Sequence, residues 1–124
     1  MRGDNKTGKL GEGYAAKYLA QNGYKILEMN YKCPMAEIDI IAKDSDGTLC
    51  FVEVKTRKNK NYGYAADFIF KSKIDKMILG ARSYMARHNV TSAVRFDIIE
   101  VYGKILYSGF SVDEINHIKN AFDV

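Results

Sequence analysis

Residues 36–57, AEIDIIAKDSDGTLCFVEVKTR, read as a β-hairpin that carries Glu37, Asp39, Glu53 and Lys55 where a hairpin ordinarily places apolar or neutral side chains. Two runs rich in Ile, Val and Phe flank the polar segment Asp44-Ser45-Asp46-Gly47, the pattern of strand, turn and strand. Side chains alternate faces along a strand, so Glu37 and Asp39 share one face of the first strand, and Glu53 and Lys55 share one face of the second. The loop decides whether those faces coincide. A three-residue loop, Ser45-Asp46-Gly47 with Gly47 left-handed in a G1 bulge, sets Asp39 opposite Glu53; a two-residue Asp46-Gly47 turn separates them. The odd loop is preferred, because it gathers the charges on one side and turns Ile38, Ile40, Cys50, Val52 and Val54 together into a core. The even loop would bury carboxylates on both faces.

Like charges directly across a strand pair are destabilising, so Asp39 beside Glu53 calls for a cation. Lys55 supplies part of the compensation. A divalent metal supplies more, and hard oxygen ligands suit Mg²⁺, with Mn²⁺ as its substitute. The plain alternative is a wet acidic face, since antiparallel sheets commonly leave one side solvated. Leu49 and Phe51, in phase with Glu53, and Ile41, in phase with Asp39, argue instead for a half-buried site, because the charged face begins apolar and turns ionic toward one end.

At 124 residues the chain is expected to form one domain, 1–124, large enough to bury roughly two-thirds of the surface its unfolded form exposes. Hydrophobic residues at 47% and charged residues at 27% are ordinary for a soluble globular protein. No apolar run is long enough to span a bilayer, so no membrane partner is expected, and the polar start MRGDNKTGKLGEG does not resemble a signal peptide. Cys33 and Cys50 lack metal-ligand spacing and lie in or beside expected strands, which suits reduced thiols and a cytoplasmic location. The net charge of +4 is modest, but Lys55, Arg57, Lys58 and Lys60, then Lys71, Lys73 and Lys76, crowd just after the hairpin. Basic groups beside an acidic pocket are what a phosphodiester substrate requires; a solvated lysine-rich loop is the bland reading of the same residues.

On the N-terminal side of the hairpin, residues 7–22 read as a helix closed by Gly23, with Leu10, Tyr14, Ala15, Tyr18 and Leu19 on one side and Glu12 at its border. A strand over 24–31 follows, and Pro34, the only proline, marks where pairing begins. On the C-terminal side, residues 59–66 read as a loop placed to cover the acidic pocket. Residues 72–88 read as a helix in which Gly80 signals close packing. Residues 94–102 read as a strand, with 105–108 as its short partner; Arg95 and Asp97 share a face, and a surface ion pair explains them as well as an active-site role does. Residues 113–122 read as a short amphipathic helix with Ile115, Ile118 and Phe122 on one side, and His117 carries no functional signal. The element order predicts an α/β fold, a three-layer α/β/α sandwich around a mixed sheet.

An acid in the first helix, an Asp in one strand and Glu-x-Lys in the next resemble the PD-(D/E)XK nuclease superfamily, with Glu12, Asp39, Glu53 and Lys55 in those places. The blocks Gly8-x-x-Gly11-Glu12, Tyr18-Leu19, Gly23-Tyr24, Asn30, Glu37-Ile38-Asp39, Phe51-Val52-Glu53-Val54-Lys55-x-Arg57, Gly63 and Arg95-Phe96-Asp97 resemble, more narrowly, the small bacterial YraN-like family, over about residues 7–101. The chain departs from that pattern at Ala36, where the family usually has Gly, and at Lys32 and Pro34, where basic residues, commonly Arg, are usual.

The resemblance implies a restriction-endonuclease-like fold similar to archaeal Holliday junction resolvases, and a Mg²⁺-dependent endonuclease selective for DNA structure, branched or damaged. In it Asp39, Glu53 and the Val54 backbone carbonyl hold the metal. Lys55 serves the attacking water, Glu12 acts through the metal's water shell or a second ion, and Glu37 stands outside them. Arg57, Lys58 and Lys73 hold DNA phosphates. Two rivals remain: a nucleic-acid-binding module that does not cut, and an interaction protein that docks through the 113–122 helix. Whether the chain acts alone or as a homodimer stays open.

Overall fold

The charged hairpin occupies the centre of a five-stranded mixed sheet. In a computed structural model of the chain, which describes residues 3–58 and 71–122, the elements run α1 (Gly3–Gln21), β1 (Lys25–Cys33), β2 (Ala36–Lys43), β3 (Leu49–Arg57), α2 (Lys71–His88), β4 (Val94–Leu106) and β5 (Gly109–Phe122). The strands lie in the order β1-β2-β3-β4-β5, antiparallel except for β3 with β4, which run parallel across the α2 crossover. The loop expected over 59–66, with Lys60 and Gly63, lies outside the described residues.

The hairpin closes by the odd loop. The Asp44 amide donates to the Thr48 carbonyl at 2.9 Å, the Gly47 amide donates to the Asp44 carbonyl, and Gly47 takes the left-handed φ of 90° that this bulge demands. The register then pairs Lys43 with Leu49, Ile41 with Phe51 and Ile40 with Val52, in phase with Asp39 facing Glu53. Helix α1 ends as expected: Gly23 is left-handed and the Tyr24 amide reaches back to the Leu19 carbonyl at 3.0 Å, a Schellman closure.

Both faces of the sheet are covered, which is why Leu49 to Glu53 are buried without alternation. Ala15 and Leu19 of α1 pack on Ile40, Ala42, Cys50, Val52, Ile99 and Val101. Met77, Ala81 and Tyr84 of α2 pack on Tyr31, Ile38, Ile41, Leu49, Phe51 and Phe96 across the sheet. The result is the expected α/β/α layering. Gly80 lets α2 approach β2 closely, since a Cβ there would stand 2.9 Å from the Ile38 side chain. Leu10 points outward, because buried Gly11 rather than Leu10 meets the sheet, against Thr56.

Four expectations are corrected. Ile38 does not join Ile40 but faces α2 with Ile41, so β2 changes its phase at Asp39. Residues 105–108 are not a separate strand; β4 runs on to Leu106 and turns at Tyr107 and Ser108. Residues 113–122 form edge strand β5, not a helix, and the three- and four-residue spacing of their apolar residues comes from an irregular register. Asn120 is left-handed, and four residues of β5 from Ile118 to Phe122 span the two from Ile98 to Phe96. Ile115 therefore packs with the α1 core and Phe122 with the α2 core, which leaves no apolar stripe for docking. Finally, Arg95 and Asp97 are no surface pair, since Asp97 is fully buried.

Candidate active site

The sheet opens where its charges lie. Pairing between β2 and β3 ends at Ile40 and Val52, and beyond it the Asp39 carboxylate, rather than a strand carbonyl, accepts from the Val54 amide at 2.8 Å. Asp39 thus hangs at a fork between the two strands, near enough to Glu53 for the two charges to act on each other. Opposite it in β1 stands Asn30, left-handed at φ 52°. The Asn30 amide donates to Glu12 Oε1 at 2.9 Å and accepts from the Lys9 ammonium at 2.9 Å, which tethers the acid of α1 to the fork. Helix α1 comes this near because Gly11 has no side chain; a Cβ there would fall 1.9 Å from Thr56 Oγ1.

Glu53 is buried and flanked by two ammonium groups. Lys55 Nζ lies 3.5 Å from its Oε2 and Lys73 Nζ, from the first turn of α2, lies 3.3 Å from its Oε1. The Lys73 contact is an ion pair without hydrogen-bond geometry, so Oε1 has no hydrogen-bond partner despite its burial. Burial first, and then the charge of Glu53, push the Asp39 carboxyl up to about 7; the Val54 amide and Lys73 offset this only in part, and Glu12 adds to it.

Two adjoining clefts share Gly8 and Glu12. One is lined by Glu37, Asp39, Lys32 and Lys73, the other by Val54, Lys55, Arg57 and Lys58. The structure thus brings Glu12, Asp39, Glu53, Lys55 and Lys73 together, with exposed Glu37 on one rim and Arg57 and Lys58 on the other. Among the described residues no three acids, histidines or cysteines are close enough to hold a metal between them as they stand.

Sequence reasoning gave no role to four members of this neighbourhood, though it named Asn30 and Lys32 among the family positions. Asn30 and Lys9 fix Glu12, Lys32 lines the acid cleft, and buried Glu100 stands beside Lys55 in the parallel register with Asn116 donating to its Oε1. Asn30 was visible as a lone asparagine among strand-formers; Glu100 sits 45 residues from Lys55 and gave no local signal.

Comparison with known proteins places the chain. A family model described as "Uncharacterised protein family UPF0102" matches residues 11–101. A UPF0102 protein of Caldanaerobacter subterraneus is 43% identical over 94% of this chain and 93% of its own, and one of Trichlorobacter lovleyi is 40% identical over 99% and 94%. One of Clostridioides difficile is 42% identical over 96% and 98%. Among solved structures, that of an EndoMS–dsDNA complex overlaps 69% of this chain and 34% of its own at 19% identity and a TM-score of 0.38, too distant a likeness to carry weight. The YraN-like resemblance read from the hairpin and the family model agree, and the chain is a member of the UPF0102 family.

Proposed function

We propose that this protein is a metal-dependent nuclease that hydrolyses DNA phosphodiester bonds at the fork between β2 and β3. The observation that carries the reading is a carboxylate left short of partners at the fork: Asp39 lines a cleft open to solvent with one backbone amide and no ion pair among the described residues, and the neighbouring Glu53, though flanked by Lys55 and Lys73, keeps a buried Oε1 without a hydrogen-bond donor. In a merely structural site such groups would be paired.

These residues fit a hard divalent ion, since Mg²⁺ is held through one or two carboxylates with water completing its shell. Asp39 and Glu53, with the Val54 carbonyl, would hold it, and the bound ion would supply a water of lowered pKa and neutralise charge building on the phosphate. Lys55, beside Glu53, would orient that water and hold the phosphoryl oxygens as they gain charge. Glu12, fixed by Asn30, reaches the same cleft and would take hydrogen bonds from metal-bound water. Arg57 and Lys58 on one rim and Lys73 on the other would hold flanking phosphates, contacts that favour DNA shape over sequence. Branched or damaged DNA in the cytoplasm is the substrate this favours.

The test is cleavage of a panel of DNA structures by wild-type protein and Glu53→Ala, with Mg²⁺, Mn²⁺ or a chelator. The variant should lose at least about a hundredfold in rate, since the metal's transition-state contribution is several kcal/mol. Equal cleavage by both proteins would end the nuclease reading. Salt-sensitive DNA binding without cleavage would favour a module that holds DNA and does not cut it.

A further inference from the structure

Lys73 lines two adjoining clefts, and Lys32 and Glu37 line both with it. In one they face Glu12, Asp39 and Lys9; in the other, beyond the rim, Lys76 of α2 joins them and Glu37 is the one acid among the described lining residues. The Lys73 ammonium sits on Glu53 Oε1 at 3.3 Å without hydrogen-bond geometry, so among the described residues nothing directional holds it. The side chain is 36% exposed, against 21% for Lys55 on the other oxygen of the same carboxylate. Asp39, by contrast, has no lysine or arginine within ion-pair reach among the described residues. Both ammonium groups therefore serve one acid of the pair.

A divalent ion between Asp39 and Glu53 would bring two positive charges to a carboxylate that already carries two, and like charges at such separations repel strongly in a partly buried site. Release of one ammonium relieves that repulsion, and Lys73 is the more exposed of the two and lines a second cleft. We propose that Lys73 is an exchangeable counter-ion: it holds Glu53 while the metal is absent, and on metal entry it swings into the neighbouring cleft to form, with Lys32 and Lys76, a binding site for a DNA phosphate adjoining the one that is cut. The inference rests on the nuclease reading and deepens it, because it makes the substrate site on this rim complete only after the metal is in place. Lys32, Lys73 and Lys76, the last one turn of α2 beyond Lys73, line the same cleft, which is where the three ammonium groups would share one anion.

Mn²⁺ alone is the first probe, titrated by calorimetry into wild-type protein, Lys73→Met, Lys73→Gln and Lys32→Ala/Lys76→Ala, each checked for folding by thermal unfolding. Both Lys73 variants should bind Mn²⁺ about three- to tenfold more tightly, the loss of one partly exposed competing charge. The double variant should bind it unchanged. Binding of an uncleavable phosphorothioate duplex is the second probe. With Mn²⁺ at a fixed concentration, the slope of log affinity against log salt should fall by about one in Lys73→Met and about two in the double variant; without metal, Lys73→Met should leave it unchanged. Mn²⁺ bound equally or more weakly by the Lys73 variants than by wild type overturns the exchange while leaving the nuclease reading intact. Mn²⁺ bound by none of the proteins overturns that reading and the exchange with it.

Discussion

The two ends of the sheet carry the same kinds of residue and treat them in opposite ways. At the turn end, Asp97 is wholly buried yet fully served: Arg95 Nε donates to Oδ1 at 3.0 Å, the Asn120 amide donates to Oδ1 at 3.0 Å, and His117 Nε2 meets Oδ2 at 2.8 Å. Arg95 spans onward to Asp44 at 2.9 Å and to the Tyr24 hydroxyl, and Tyr18 meets His117 Nδ1 at 3.2 Å. Burial would raise the Asp97 carboxyl, but the His117, Arg95 and Asn120 hydrogen bonds outweigh it and hold the group below its ordinary range. At the open end Asp39 receives one backbone amide and is pushed up to about 7. The contrast separates a carboxylate that has its partners inside the chain from one that, among the described residues, has a single backbone amide and would be free to take a ligand on the proposed reading.

Removing Asp97 is the harshest way to break the comparison. Asp97→Ala leaves Arg95 and His117 without their shared acceptor and should cost about 3–5 kcal/mol in urea unfolding, the range for breaking a buried pair. Gly11→Ala comes next, since its Cβ meets Thr56 at once and α1 must back away; a loss of about 1–3 kcal/mol is expected, with DNA cleavage falling further than stability as Glu12 recedes.

Asp39→Asn should do the reverse and stabilise the metal-free protein by about 1–2 kcal/mol at pH 8. The sign follows from the raised value. The folded form holds the Asp39 proton more tightly than the unfolded chain, so stability falls as pH climbs from about 4 through about 7, and the advantage of the variant opens over that window. Asp97 has the opposite slope: its folded value is lowered, so its contribution is present above the unfolded carboxylate range and is lost as acid drives the pH down through the folded value. Urea unfolding of the two variants against pH separates the two ends. The smallest effect belongs to Gly47→Ala, about 1 kcal/mol for the left-handed turn, with no change in cleavage because the turn lies at the far end of the hairpin from the fork.

Local chemistry made the open end legible. Gly47 fixed the loop, the loop fixed the register, and the register placed Asp39 in phase with Glu53; Gly23 and the periodicities of α1 and α2 were equally readable. The turn end was hidden, because Asp44, Arg95 and His117 meet only once β4 has crossed back beside β3, and a sequence shows no such meeting. β5 misled for another reason. The irregular register around Asn120 gives its apolar residues helical spacing while sending Ile115 and Phe122 to opposite faces. At the fork itself, the phase change at Asp39 and the tether from Asn30 to Glu12 depend on backbone irregularities that alternation cannot foresee.

If Asp39 and Glu53 together hold a divalent cation, urea unfolding at pH 8 against Mn²⁺ concentration reads it without recourse to catalysis. The wild-type unfolding free energy should climb with the logarithm of Mn²⁺ once the site fills, while Asp39→Asn and Glu53→Ala stay flat. An equal rise in all three proteins, or none in the wild type, would contradict the account.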